Sequence, residues 1–354
     1  MVRLATPRSS CTGSRILAPA AGEVNGPLRV APTWKMIHGM RLNERAWELC
    51  DRWCTEGAGD SDVEVVPMPC GTRVIDCGVK AAGGRSAGLR MAEICLSGLA
   101  RVSVKALGES VWPGPWIYVF TEEPVAACMA SQYAGWQITG EEFFAMGSGP
   151  MRAAYGKEKL FDHIGYREQP PVAVGVLETS KLPPDEVCRK IAADCGIAPD
   201  KLTLVCARTA SAAGHLQIVA RSVETALHKM HELGFDLQRV KSGQGFAPLP
   251  PTAPDDMTGI GRTNDAVLYG AAVFLWVVGD DDSLAEIGPK IPSSASRDFG
   301  EPFAAIFERY NRDFYKIDPL LFSPAAISLF NLDTGRSHSF GGPRPDVLKR
   351  SFAG

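Results

Sequence analysis

Residues Gln217–Asp236 read QIVARSVETALHKMHELGFD, and the reading of this stretch decides how the rest of the chain is arranged. Leu216, just before it, and Val219, Ala220, Val223, Leu227 and Met230 recur at mostly three- and four-residue steps. That is the period of an apolar helical stripe, so one long amphipathic helix is expected. Arg221, Glu224, His228 and His231 follow at steps of three, four and three. At about 100° per residue they share a sector of roughly 80° on the flank of the buried face. An Arg one turn before a Glu can keep the carboxylate ionised and aim it, as a general base acting on water requires. The same spacing also suits an ion pair on a solvated flank, which contributes only about 0.2–0.5 kcal/mol. His228 and His231 are expected to pack or to face solvent.

Working outward, Val172–Glu178 is an apolar strand, Pro183–Cys195 a helix and Leu202–Ala207 another strand leading to the long helix. This alternation predicts a mixed α/β layer with crossover helices on a sheet. Upstream, a helix is expected over Leu42 to about Thr55 with Asn43 as its cap, and strands at Val63–Met68, Thr72–Val79, Arg101–Leu107 and Trp116–Thr121. The glycine-rich turn in DCGVKAAGGRSAGLRMAEICLSGLA (76–100) fits neither G-x-G-x-x-G nor a P-loop. In PVAACMASQYAGWQI (124–138) a short apolar helix breaks at Gly135, which places Gln132 and Tyr133 at a helix end. FFAMGSGPMRAAYG (143–156) reads as strand, small-residue loop and helix, so the amides of Gly147, Ser148 and Gly149 could face an anion.

Downstream, Pro248, Pro250, Pro251 and Pro254 mark an ordered crossing loop. Arg262, Thr263, Asn264 and Asp265 then precede an apolar strand through Val278, either as a polar cluster at a strand mouth or as a helix end. A helix at Glu301–Tyr310 and a last strand at Ala326–Leu332 follow, separated by the apolar crossing FYKIDPLLFSP. The expected organisation is a mixed α/β (α+β) fold with a first domain over 41–170 and a second over 171–354.

The chain has 354 residues, 45% hydrophobic and 22% charged, with net charge −3 and no basic run. Nucleic-acid binding is thereby disfavoured, and no apolar stretch approaches the ~18 residues of a membrane span. Ten cysteines are scattered without a C-x-x-C pair. Several lie in apolar runs, which suits reduced thiols in a cytoplasmic protein better than a disulfide framework or a zinc site. Residues 1–40 carry Arg3, Arg8, Arg15, Arg29 and Lys35 against Glu23 alone. They are expected to be a disordered extension, or a mis-assigned start with Met36 or Met40 as alternatives.

The segments DCG…GG…AG…AEIC…GL (76–99), ASQYAGW (130–136), FFAMGSGP (143–150), VAR..E.ALHK..ELGFD (219–236), GRTNDA.LYG (261–270) and FYKID..LFSPA (314–325) resemble the methenyltetrahydromethanopterin cyclohydrolases of methanogenic archaea and methylotrophic bacteria. The likeness runs in order from about Leu42 to the C-terminus and is nearer to the bacterial members. It implies a homotrimer of two-domain α/β subunits, each enclosing a pterin pocket between its domains. It also implies reversible hydrolysis of 5,10-methenyltetrahydromethanopterin to the 5-formyl derivative, without metal or redox cofactor. The family's catalytic pair falls on Arg221 and Glu224, and its active-site wall on Ser131, Gln132 and Tyr133. Gly147, Ser148, Gly149 and the Arg262–Asp265 cluster are implied contacts to the pterin or its tail. A cyclohydrolase acting on a folate-type carrier and a non-catalytic pterin-binding protein are the competing readings.

Overall fold

A computed structural model describes residues 39–57, 62–106, 110–312 and 316–353. The basic segment 1–38 and part of the expected FYKID crossing lie outside the described residues. Two six-stranded sheets carry the fold. The first has the order β1(Glu64–Pro67), β2(Arg73–Asp76), β8(Leu202–Ala207), β7(Ala173–Glu178), β6(Phe144–Ser148), β5(Trp136–Thr139). The second runs β12(Ser337–Gly341), β11(Ala326–Asn331), β10(Ala272–Val277), β9(Val240–Pro248), β4(Pro115–Thr121), β3(Ala100–Ala106). Each sheet takes strands from both sides of position 170.

Strands β2, β8 and β7 are mutually parallel, and β7 and β8 are buried along almost their whole length. Their near-continuous apolar sequences follow from being covered on both faces. One face packs on α1(Leu42–Gly57) and α2(Arg85–Cys95) through Ala46, Trp53, Met91 and Ile94. On the other, α3(Met151–Tyr155) contributes Met151 and α5(Asp185–Asp194) contributes Val187 and Ile191; α4(Leu160–Ile164) lies between them in sequence. Asn43, expected to cap α1, lies inside it. Its side chain instead ties the helix to the sheet, donating to the Pro150 carbonyl at 2.8 Å and accepting from the Val174 amide at 3.1 Å. The distant Glu168 carboxylate takes the first free amides, of Leu42 and Asn43.

The largest core lies on one face of the second sheet, beneath α6(Ala212–Val219), α7(Ser222–Glu232) and a π-helical segment Val125–Gln132. Strands β10 and β11 alternate buried and half-buried positions, so only this face is fully covered within one chain. The opposite face presents Tyr118, Phe246, Phe274, Phe330 and Trp276, rings linked in series at 4.9–6.3 Å. The C-terminal half adds α8(Asp256–Asp265), α9(Asp281–Ile287), α10(Phe303–Arg309) and α11(Pro345–Ala353). No helix among the described residues is long and apolar enough to cross a membrane. The described cysteines are all unpaired, and most are buried, as their apolar surroundings suggested.

The long helix expected over 217–236 is two helices. Ala220 and Arg221 have ψ of 3° and 9°, which interrupts the i→i−4 ladder and starts α7 afresh at Ser222. The sheet beneath accommodates that junction with glycine. A Cβ on Gly245 would stand 2.3 Å from Ser222 Oγ, and one on Gly243 2.9 Å from Val223 Cγ1. Overpacking at a contact this close costs about 1–3 kcal/mol. Gly245→Ala is therefore expected to lower the unfolding free energy by that amount, read as a lower urea midpoint at unchanged m, and an unchanged midpoint would contradict the close seating of α7 on β9.

Candidate active site

Breaking the helix at Arg221 turns its side chain inward. The residue is 6% exposed. Its guanidinium donates to the Gln132 carbonyl (2.5 Å), Ser148 Oγ (3.1 Å), Glu178 Oε1 (3.2 Å) and Gln217 Oε1 (3.2 Å). Gln217 Nε2 also donates to Glu178 Oε1 at 2.9 Å, which closes a ring of three side chains. The carbonyl freed at Ala220 accepts from Gln132 Nε2 at 3.2 Å. The carboxylate that pairs with Arg221 is thus Glu178, at the carboxyl end of β7, and not Glu224 as the helical spacing suggested. Nor is the flank solvated, since Glu224 is only 5% exposed.

Among the described residues, no hydrogen bond or ion pair reaches the Glu224 carboxylate. Burial raises its pKa to about 7, against the positive charges of Arg221 and Arg152 and with a push in the same direction from Glu178. Such a group exchanges a proton near neutral pH. Arg221 Nε and Gln132 Oε1 are likewise buried without a protein partner, leaving a donor and an acceptor for a bound molecule.

The wall beside this pair comes from the π-helical segment, whose wide turn is closed by Tyr133 N–H donating to the Cys128 carbonyl at 2.8 Å. Single π turns recur at functional sites because they re-aim the side chains that follow. Ser131 is fully buried: its hydroxyl bonds to the Cys95 carbonyl at 2.6 Å, and its own carbonyl accepts from the Gly149 amide at 2.9 Å. Tyr133 is held between the His228 ring, stacked at 4.9 Å, and the Arg152 guanidinium, 4.8 Å from its centroid. Burial and the nearby Glu224 push the Tyr133 phenol up to about 12, so it stays protonated. Arg152, fully buried, forks onto Glu158 at 2.6 and 2.9 Å. His231 meets His163 at 3.3 Å. Both helix histidines therefore pack, as expected.

The anion-facing loop expected at 147–149 is occupied by the protein itself. Gly147 pairs with Trp136 and Leu177 inside the sheet. Ser148 Oγ donates to the Val176 carbonyl at 3.2 Å, and Gly149, at φ +85°, gives its amide to Ser131. The glycine-rich turn after β2 behaves alike, because the Asp76 carboxylate takes the amides of Gly78, Val79, Lys80 and Ala81. Arg262–Asp265 form the last turn of α8, not a strand mouth. Thr263 Oγ and Asn264 Nδ2 bond back to the Gly259 and Ile260 carbonyls at 2.8 Å, and buried Asp265 accepts the Phe303 amide. Arg262 alone reaches outward, to the Pro251 and Thr252 carbonyls. Those residues, with Arg85, Trp112 and His215, line a cleft of about 310 Å³. No hydrogen bond, ion pair or ring contact among the described residues links Arg262–Asp265 to Arg221 and Glu224. The same residues contain no cluster of three or more metal-ligating side chains.

Glu178, Gln217, Arg152 and Glu158 were not singled out in the sequence. A signal existed for Glu178, a lone acid closing an apolar strand, since ligands of α/β sheets gather at the carboxyl ends of parallel strands. Nothing local marks Arg152 as a buried cation.

The family model described as cyclohydrolase (MCH) matches residues 41–352. Among curated relatives, the methenyltetrahydromethanopterin cyclohydrolase of Methylobacillus flagellatus is 47% identical over 290 residues, covering 81% of this chain and 88% of its own. That of Xanthobacter autotrophicus is 49% identical, covering 79% and 83%. The Methanosarcina barkeri protein of the same name is 43% identical, covering 83% and 92%. With the match extending over every element that builds the Arg221–Glu224 site, the chain belongs to the MCH cyclohydrolase family.

Proposed function

We propose that this protein hydrolyses the cyclic amidinium of 5,10-methenyltetrahydromethanopterin, reversibly, to 5-formyltetrahydromethanopterin. The observation that carries the reading is Glu224, a buried carboxyl without a bonding partner among the described residues, held near neutral pKa beside a fixed guanidinium. A methenyl amidinium is already positively charged, so its carbon accepts a nucleophile without added polarisation. What remains is to hold one water over that carbon and to take its proton as the C–O bond forms. Glu224 takes the proton. Arg221 steadies the water through its free Nε–H, and later the formyl oxygen. Collapse of the hydrated carbon passes the remaining hydroxyl proton to N10 as the C–N10 bond breaks, and leaves the formyl group on N5. The proton then rests on a buried acid whose surroundings have lost the substrate's positive charge, the condition in which burial favours the neutral form.

In this reading Gln132 and Tyr133 form the wall against the pterin, while Ser131, Gly147, Ser148 and Gly149 shape it from behind through the bonds described above. Of the Arg262–Asp265 group, Arg262 is assigned to the carrier's tail at the Arg85–His215 cleft. Thr263, Asn264 and Asp265 are turned into their own helix and receive no substrate role. The unpaired cysteines favour a reducing compartment, the cytoplasm. A homotrimer is the proposed assembly, and the aromatic face of Tyr118, Phe246, Phe274, Trp276 and Phe330 is the surface assigned to its contacts.

Decay of the methenyl-carrier absorbance tests the chemistry. Glu224→Gln, folded and of unchanged assembly size, is expected to lose on the order of 10²–10⁴-fold in kcat/KM. Wild-type kcat/KM is expected to fall as pH drops through about 7, because the base must be ionised and burial has raised its pKa to that value. Wild-type turnover in Glu224→Gln would place the base elsewhere, and turnover only with the folate analogue would overturn the carrier. For assembly, light scattering should give three chains for the wild type and fewer for Phe274→Asp/Trp276→Asp. A concentration-independent monomer mass for the wild type would contradict the trimer.

A further inference from the structure

We propose that Glu178 is a positioning residue for this reaction: it holds the Arg221 guanidinium apart from Glu224, so that the base has no ion-pair partner. The inference rests on the functional reading above and deepens it. Two carboxylates flank one buried guanidinium, and only one of them binds it. Glu178 Oε1 takes Arg221 Nη2 at 3.2 Å, while Gln217 Nε2 holds the same oxygen at 2.9 Å. Gln217 Oε1 receives Nη2 in turn, so neither acid nor amide can turn without breaking two bonds.

The backbone under Glu178 is equally fixed. It closes the buried strand β7, and the next residue, Thr179, donates its amide to the Ala207 carbonyl at 3.1 Å and its hydroxyl to the Phe144 and Lys181 carbonyls. On the far side, the Gln132 carbonyl and Ser148 Oγ complete the cradle. The guanidinium is therefore anchored to the first sheet and the π-helical segment, while Glu224 rides on α7 above the second sheet.

The groups facing Glu224 are Arg221 at the start of its own helix, Arg152 from α3, Glu178 from β7, and Cys128 and Tyr133 from the π-helical segment; both of the latter two stay neutral because burial raises them. Arg152 is forked onto Glu158, and His228, one turn along α7, is stacked on Tyr133. Arg221 is thus the cation whose placement decides how basic Glu224 is. Released from Glu178, it would pair with the one carboxylate left, and a carboxylate paired with a guanidinium holds its proton less well.

Glu178→Gln keeps the shape and removes the charge. The pH profile of kcat/KM is the readout, because a purely structural role would lower the melting temperature and leave the profile in place. The expected result is an acidic limb displaced to lower pH by about one unit or more, with the plateau reduced on the order of 10- to 100-fold. Glu178→Asp, which retains the charge, should keep the limb near its wild-type position. An unmoved limb in folded Glu178→Gln would overturn the assignment. Gln217→Met is measured beside it, since it removes the lateral bond to Glu178 and keeps every charge, whereas loss of the Glu178 charge by itself also lowers the limb. A limb moved down supports the proposal and an unmoved one overturns it. Glu224→Gln measured alongside keeps the two failures apart. Full activity there places the base elsewhere and defeats the role of Glu224, whereas its loss together with an unmoved Glu178→Gln limb defeats only the role of Glu178.

Discussion

A guanidinium buried between two sheets must be met by oxygen, because an ion taken out of water and left unpaired costs several kcal/mol. Arg221 meets that constraint with a backbone carbonyl, a hydroxyl, an amide oxygen and a carboxylate drawn from four separate segments. Each of those segments is fixed in turn. The π-helical turn delivers the Gln132 carbonyl, β6 ends on Ser148, β7 ends on Glu178, and α6 brings Gln217. The site is therefore the place where the first sheet, the π-helical segment and the α6–α7 junction are forced into register.

The same constraint accounts for the broken helix. A straight α-helix through 217–232 would keep Arg221 on the flank of its stripe. With ψ near zero at Ala220 and Arg221 the axis is reset, the side chain points into the core, and the Ala220 carbonyl finds Gln132 Nε2. Glu224 then falls in the first turn of α7, where burial rather than pairing governs its proton. Glycine at 243 and 245 lets that turn lie directly on the second sheet. The division of labour is electrostatic: one carboxylate neutralises the cation, and the other is left free to titrate.

Much of this was legible from residue order. The central strands β7 and β8, the helices around them and the Arg221–Glu224 spacing all follow from local periodicity, which tertiary packing reinforces. What failed was decided by partners remote in sequence. Asn43 looked like a cap because its own neighbourhood favours one, yet it is claimed by Pro150 and Val174 while Glu168 supplies the cap from 125 residues away. The loop at 147–149 reads as an anion cradle because glycines free their amides, but the Gly149 amide is taken by Ser131, just as the turn after Asp76, which fits no phosphate motif, is closed by the Asp76 carboxylate. For Arg262–Asp265 the helix-end alternative holds and the strand mouth fails, because the π-helical segment Ala266–Gly270 intervenes before the strand. Glu178 reads in sequence as a strand end, a single acid after an apolar run, and its contact with Arg221 gives it a role.

The measurement closest to the centre of this account is the titration of Glu224 itself in the substrate-free protein. Infrared difference spectra between wild type and Glu224→Gln, recorded across pH, isolate the carbonyl stretch of the protonated acid. The account predicts a band that disappears with a midpoint near 7, the value to which burial raises this carboxyl. A carboxylate already ionised well below pH 5, with no such band, would mean that Glu224 is paired rather than free, and would contradict the separation of the two acids on which the mechanism depends.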